Sequence, residues 1–359
     1  MASTSNTMQP ENQVIVRNIE HLPSGKVLLI DALPDQAIKE FSALRPDIIW
    51  TVYTPYIDTA EQLSNINIAS QDSLPVHKSA WLTSEQVGLF DAVLIYYPKA
   101  KQRFDYYLSM TSQLLKQDGQ LFIVGEKKGG VKSCDKALKP FSDGIKKLDS
   151  ARHCMLFTAT FNNKACTKSM DSWFKEVNLD IDFAGTTINL TLASLPGVFS
   201  AKRLDNGTEL LLKSMTAVNG KGIDFGCGCG VISAALSLNN DNEIVAIDVD
   251  ALAVESSNRT FKINGSNATA IHSNGLSNLM NQSNQFDFIV SNPPFHTGLQ
   301  TDYSIVDLFL KNSAKLIKSK YEMWIVANSF LPYPPLFKKY LKAANTVENN
   351  KRFSVYHIR

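Results

Sequence analysis

Apolar runs of strand length alternate with stretches of helical spacing along most of the chain. Runs at 26–31, 48–53, 90–99 and 119–126 predict strands, with a helix at about 104–116. A hairpin is predicted around Gly185 and Thr186, between 179 and 192. A helix starts at Thr208-Glu209-Leu210-Leu211-Leu212. Further strands are predicted at 222–225, 243–248, 286–290 and 321–327, with helices at 231–238 and about 305–318, and 352–356 closing the sheet. Such alternation predicts an α/β fold with a parallel sheet covered by helices. The run Phe288-Ile289-Val290 is apolar on both faces, as a central strand requires. It meets Asn292 and two prolines. Neither proline can donate to a sheet ladder, so the strand ends there, and Asn292 is held extended by the proline after it.

The two halves resemble each other. Phe90-Asp91 through Lys99 aligns with Phe286-Asp287 through Phe295. Leu121-Phe122-Ile123-Val124 aligns with Met323-Trp324-Ile325-Val326 at a nearly equal offset. Duplication of one α/β unit is the expectation. The tips differ, because Tyr96-Tyr97-Pro98-Lys99 stands where the second copy has Asn292-Pro293-Pro294-Phe295, and no glycine loop follows the first strand. The first copy therefore reads as catalytically silent. The expected division is a loose tail over 1–12, a first domain over 13–169 and a second over 170–359.

Composition adds little. The 359 residues carry a net charge of +2 and 44% hydrophobic residues, which permits two packed domains and a nucleic-acid partner without demanding one. Five cysteines without framework spacing point to reduced thiols and a cytoplasmic location. No apolar stretch reaches the length of a membrane span. Base is concentrated between positions 127 and 168, where Lys127, Lys128, Lys132, Lys136, Lys139, Lys146, Lys147, Arg152, Lys164 and Lys168 face only Asp135, Asp143 and Asp149. Gly129-Gly130 predicts a flexible loop at its start. A phosphate grip and a solvated face fit that charge equally well.

The chemistry lies in the second half. Asp224 precedes Gly226-Cys227-Gly228-Cys229-Gly230, and a helix follows. Strand, glycine loop and helix make a nucleotide-type turn. No Lys-Ser/Thr pair follows, so a Walker phosphate site is excluded, and the dinucleotide fingerprint fails at Val231 and Ser233. A carboxylate at Asp224 suits a cationic amino group better than a phosphate. Asp248 closes the next strand roughly 20 residues past Gly226, where an acid can take both ribose hydroxyls. Asn274 and Gly275 follow the third strand and can meet an adenine edge. This order of residues indicates S-adenosylmethionine. No second Cys/His pair gives Cys227 and Cys229 zinc spacing, so no metal is expected.

Asn-Pro-Pro-Phe supplies the acceptor side. An exocyclic amine is a poor nucleophile because its lone pair is delocalised. The Asn292 side-chain oxygen and the Pro293 carbonyl can accept its two hydrogens, turn the lone pair outward and stabilise the positive charge that builds on attack. Pro294 stiffens the corner, and Phe295 can stack on the planar group. On these residues alone the acceptor can be guanine, adenine N6 or a protein glutamine. A non-enzymatic RNA-binding assembly factor with a vestigial pocket also remains open.

Nearly the whole chain resembles the ribosomal RNA small subunit methyltransferase C family. The resemblance rests on Ile289-Val290-Ser291-Asn292-Pro293-Pro294-Phe295-His296, Leu94-Ile95-Tyr96-Tyr97-Pro98-Lys99, Val124-Gly125-Glu126, Leu195-Pro196-Gly197-Val198-Phe199-Ser200 and Ala327-Asn328-Ser329-Phe330-Leu331-Pro332-Tyr333-Pro334. It implies two tandem Rossmann-like class I methyltransferase domains, the first degenerate and serving RNA binding or support. It implies methyl transfer from S-adenosylmethionine to a guanine N2 of 16S rRNA in the small ribosomal subunit, by a monomer. Carried over, Asp224, Gly226, Gly228 and Asp248 hold the cofactor, and Asn292, Pro293, Pro294 and Phe295 hold the guanine; the reading of the residues adds Cys227, Gly230, Asn274 and Gly275 to the cofactor side. Cys229 stands where the family usually has alanine, and the region before Val27 matches poorly.

Overall fold

A computed structural model describes residues 8–82, 84–162, 168–199, 203–239, 241–293, 296–297, 300–301, 303–329 and 333–359. The chain divides into two compact units, Met1–Trp173 and Phe174–Arg359. The first carries β1 (Gly25–Ile30), β2 (Ile48–Tyr53), β3 (Val76–His77), β4 (Phe90–Tyr96), β5 (Leu115–Glu126), β6 (Ser142–Asp149) and β7 (Cys154–Phe161). Their order in the sheet is β3-β2-β1-β4-β5-β7-β6. The first five are parallel, and β7 and β6 add antiparallel to one edge.

The second unit opens with a separate hairpin, β8 (Lys175–Phe183) and β9 (Thr186–Ser194). Its sheet contains β10 (Lys221–Phe225), β11 (Glu243–Asp248), β12 (Thr269–His272) and β13 (Phe286–Ser291). A short hairpin, β14 (His296–Thr297) and β15 (Gln300–Thr301), follows, and then β16 (Ile317–Asn328), β17 (Asn345–Asn349) and β18 (Phe353–Ile358). The order is β12-β11-β10-β13-β16-β18-β17, the same topology as the first unit. Each sheet has its own apolar core.

The likeness of the halves extends to one backbone detail at the amino edge. Gly25 and Gly220 each take φ +105°, and a Cβ there would lie 2.3 Å from Asp91 Oδ2 and 2.4 Å from Asp287 Oδ2 respectively. Each aspartate accepts from the next backbone amide, Lys26 or Lys221, and pairs with a lysine of the adjacent strand region, Lys116 or Lys318, at 2.7 Å. The φ of +105° suits glycine alone, so the matched pair of corners is hard to reach by two unrelated sequences.

The structure changes or adds to the expectations at several places. The helix Pro10–Val16 begins inside the stretch read as a loose tail. Asn12 is buried, donates to both oxygens of Asp35 and accepts from the Tyr96 hydroxyl, so a polar residue serves as an anchor. Beyond the turn at Gly129-Gly130 the basic stretch forms a short helix, Cys134–Leu138, and the β6–β7 pair, elements that the sequence reading did not assign. Lys132, Lys136, Lys139, Lys146 and Lys147 stand on the exposed side. The run at 333–335, whose prolines by themselves suggest a stiff loop, starts a helix, Tyr333–Tyr340, because proline is tolerated in a first turn where no amide bond is lost. The last strand lies inside the sheet, and the fully exposed β17 forms the edge. Among the described residues no helix is long and apolar enough to cross a membrane.

The centre of the second sheet is tightly filled. A Cβ on Gly222 would fall 1.9 Å from the Phe288 ring on the neighbouring strand. Gly222→Ala is expected to destabilise the protein by roughly 3 kcal/mol, because the ring has no free volume to enter. Urea unfolding checks it, and Phe288→Leu in the same chain is expected to recover part of the loss.

Candidate active site

In both sheets the strand order reverses beside the first strand, which opens a crevice at the carboxyl edge. In the second unit that point lies between β10 and β13, whose registers pair Asp224 with Val290 and Phe225 with Ser291. The Ser291 hydroxyl donates to the Phe225 carbonyl at 2.8 Å and binds the two strand ends together. The glycine loop leaves β10 and the Asn-Pro corner leaves β13 at this edge.

Asp224 is fully buried. Its Oδ2 accepts from the Ser233 amide at 3.1 Å and from the Ser233 hydroxyl at 2.7 Å, which ties the loop's two ends. Its Oδ1 is buried without a hydrogen-bond partner. Burial pushes its carboxyl up to about 7, the nearby Asp248 adds to the rise, and the Ser233 bonds oppose it. Gly226, Gly228 and Gly230 take φ of 76°, 55° and 80°, a left-handed path that only glycine follows cheaply. Gly226 and Cys227 donate their amides to the Ile247 carbonyl at the end of β11, at 2.9 and 3.0 Å. Asp248 Oδ2 accepts from the Gly228 amide at 3.0 Å, and its Oδ1 accepts from Asp250 at 3.0 Å. Burial, with Asp250 next, raises the Asp248 carboxyl to about 6. Cys227 is buried against the Ser257 hydroxyl, and burial lifts its thiol well above the usual range, so it is a small loop residue. Among the described residues no cluster of three or more metal-ligating side chains occurs.

The remaining sequence candidates fall on the same edge. Ser273 donates its amide to the Asp248 carbonyl, and Asn274 and Gly275 turn outward just beyond β12, Asn274 exposed and Gly275 at φ 56°. Asn292 follows β13, half-buried, with Pro293 buried beside it. Pro294 and Phe295 lie outside the described residues.

The chain is 39% identical over 346 residues to ribosomal RNA small subunit methyltransferase C of Shewanella loihica, spanning 96% of this chain and 97% of that protein. It is 35% identical over 352 residues to the protein of the same name from Acinetobacter baumannii strain AYE, spanning 98% and 99%. The chain belongs to the ribosomal RNA small subunit methyltransferase C family. The methyltransferase small domain matches residues 189–357, and the methyltransferase small domain N-terminal family matches 12–177. The fold is shared with a T. thermophilus 16S rRNA N2 methyltransferase solved with AdoMet and guanosine, at TM-score 0.81 and 21% identity over 99% of this chain and 93% of that one.

Within this family member the first unit differs at the corresponding strand end. Asp31, at φ 57°, donates its amide to the Tyr53 carbonyl, as Gly226 does to Ile247. Its carboxylate accepts from the Tyr107 hydroxyl at 2.6 Å and from the Thr54 hydroxyl at 3.1 Å. A cluster of side chains thus gathers at the strand end that carries the glycine loop in the second unit. Two residues of the second unit escaped the sequence reading. Asp205 caps the helix Asn206–Ser214, and Thr208 lies in its first turn; both reach Asn292 Nδ2, at 3.0 and 2.8 Å. The capping signal Asp205-Asn206-Gly207-Thr208 was visible in the sequence, but its contact with a residue more than 80 positions away was not.

Proposed function

We propose that this chain transfers a methyl group from S-adenosylmethionine to the exocyclic N2 of a guanine in 16S rRNA. The observation that carries the reading is the meeting, on neighbouring strand ends, of the acid-glycine-acid set of β10 and β11 with the Asn-Pro corner of β13. The buried, unpartnered Asp224 Oδ1 fits a cofactor that brings a cationic amino group. The glycine loop brings its backbone near the ligand, Asp248 accepts ribose hydroxyls, and Asn274 with Gly275 borders the base. When bound, S-adenosylmethionine supplies the electrophile, a methyl carbon on a positively charged sulfur. Asn292 Oδ1 and the Pro293 carbonyl accept the two hydrogens of the guanine amine and stabilise the charge that builds on it. From the sequence, Pro294 and Phe295 are assigned the roles of stiffener and stacking ring. The methylated amine then loses a proton to water. The guanine must leave its stack to reach this corner.

The first unit is proposed to hold RNA. Lys127, Lys128, Lys132 and Lys136 are exposed. A cavity of about 630 Å³ in that unit is lined by Lys101, Lys136 and Lys168 together with Tyr97, Phe104 and Trp173. Cations beside aromatic faces suit a single-stranded nucleic acid. Reversing charge at Lys127, Lys128 and Lys132 is expected to weaken rRNA binding roughly tenfold and to lower its salt slope. Filter binding at several salt concentrations checks it; an unchanged slope refutes the assignment.

We further propose a cytoplasmic monomer acting on the small subunit. Unmodified small subunits incubated with labelled cofactor, followed by nucleoside analysis, test the whole reading. N2-methylguanosine is expected; label in methyladenosine or in protein glutamine would favour the other amines, and absence of cofactor binding by calorimetry would favour a non-enzymatic factor.

A further inference from the structure

The corner of β13 is held from behind. Asn292 Nδ2 has two hydrogens, and both are taken: one by the Asp205 carboxylate at 3.0 Å and one by the Thr208 hydroxyl at 2.8 Å. A carboxylate oxygen only accepts, so the nitrogen of the Asn292 amide, not its oxygen, must face Asp205. Turning the amide over would set its oxygen against the Asp205 carboxylate and replace that hydrogen bond with repulsion, while the Thr208 hydroxyl can serve either orientation, so the carboxylate decides the direction.

The carboxylate itself is fixed. The same Asp205 Oδ2 accepts the amides of Gly207 and Thr208, at 2.8 and 3.2 Å, at the start of the helix Asn206–Ser214. Helix N-termini favour negative charge, so the acid is stabilised where it sits. Thr208 is 3% exposed, and a Cβ on Gly207 would come within 3.0 Å of Asp205 Oδ2 and 3.5 Å of Asn292 Nδ2. The first helical turn is therefore pressed against the amide with no space for another side chain.

We propose that Asp205 and Thr208 are positioning residues that lock the Asn292 amide with its oxygen outward. The inference rests on the function proposed above. With both N–H groups consumed, Asn292 offers an incoming group acceptor capacity alone. A guanine amine, which donates two hydrogens, is admitted, and a carbonyl or ring nitrogen at that position is not. Hydrogen bonds in series also polarise one another, so the negative charge behind Nδ2 enriches Oδ1 in electron density. That oxygen then holds the positive charge of the methylated amine better than a free amide would. Neither residue touches the substrate.

Asp205→Ser tests this, because serine caps a helix about as well as aspartate but is shorter and uncharged and gives up the bond to Asn292, whereas asparagine would keep a carbonyl oxygen that still accepts. Its unfolding midpoint and its affinity for S-adenosylmethionine are expected to match wild type, while kcat falls on the order of 100-fold. Thr208→Val is expected to lose about tenfold and Thr208→Ser to keep activity within about threefold. In an Asn292→Ala background, Asp205→Ser is expected to cost nothing further, since it acts through the absent amide. A readout without turnover is the nitrogen-15 spectrum of the Asn292 side-chain amide, whose two protons are expected to exchange slowly in wild type and quickly in Asp205→Ser. Wild-type kcat in Asp205→Ser, an unchanged amide signal, or a full additional loss in the Asn292→Ala background would each overturn the proposal. A wild-type enzyme that methylates some other amine would overturn the guanine reading instead, and the same variants would still test the lock through that product.

Discussion

Asn292→Ala is expected to lower kcat for methyl transfer by about 100- to 1,000-fold while cofactor affinity stays within about a factor of two of wild type. The split follows from position. Asn292 ends β13, and every protein group identified as a cofactor holder sits on β10, β11, β12 or the loops that leave them. Its removal therefore takes away acceptor capacity that matters most as charge develops on the amine, which lowers kcat more than it raises KM. Asn292→Asp makes the complementary test. It keeps the shape and sets a second carboxylate 3.0 Å from Asp205 Oδ2. At that distance the repulsion is about 5 kcal/mol in a partly screened environment, so one of the two acids must take a proton or the corner must open. Activity near pH 7 is expected to be as low as in Asn292→Ala, with partial return on acidification. Single-turnover assays with calorimetry in parallel check both variants. A variant that loses cofactor binding together with turnover would place Asn292 in the wrong half of the site.

The second large effect is at Asp224. Burial raises its carboxyl from 3.8 to about 7, a shift that corresponds to roughly 4 kcal/mol between its two protonation states. For a group raised in the folded state, the stabilising contribution is complete below the unfolded value and is lost as pH rises through the folded one. The cofactor-free protein is therefore expected to lose stability between about pH 4 and pH 7. Asp248, raised to about 6, contributes the lower part of that slope. Cofactor affinity runs the opposite way, because a cationic amino group favours the ionised carboxylate; it is expected to rise through pH 6 to 7 with release of protons. Asp224→Asn keeps an acceptor for Ser233 and removes the charge. It is expected to raise the melting temperature at pH 8 by roughly 5 °C and to weaken S-adenosylmethionine binding on the order of 100-fold. Melting curves across pH and calorimetry in buffers of different ionisation enthalpy check the pair of effects. An unchanged affinity would mean that the Asp224 charge plays no part in holding the cofactor.

Much of this was legible from local chemistry. The strand ending at Asn292 follows from an apolar run stopped by two prolines, and no tertiary partner is needed to end it. The glycine loop is legible for the same reason: Gly226, Gly228 and Gly230 sit where the backbone takes a left-handed path, and backbone preference is a property of the residue itself. The β6–β7 pair was hidden because its cations mask a strand pattern, and the helix at Tyr333 because its prolines signal a turn as readily as a first helical turn. The anchoring of Asn12 was hidden because a polar residue looks exposed until its partners Asp35 and Tyr96 are brought to it.

By itself, the sequence determined the α/β repeat, the acid-glycine-acid series and the proline-stiffened amide corner, since each depends on residues adjacent in the chain or on a repeat visible within it. Only the tertiary structure decided which way the Asn292 amide faces, because the deciding carboxylate comes from a helix cap more than 80 positions earlier. It also set the burial that raises the Asp224 carboxyl to about 7 and brought Asp31, Thr54 and Tyr107 together in the first unit. Orientation and ionisation depend on what surrounds a group in space, and that is set by packing between elements distant in the chain.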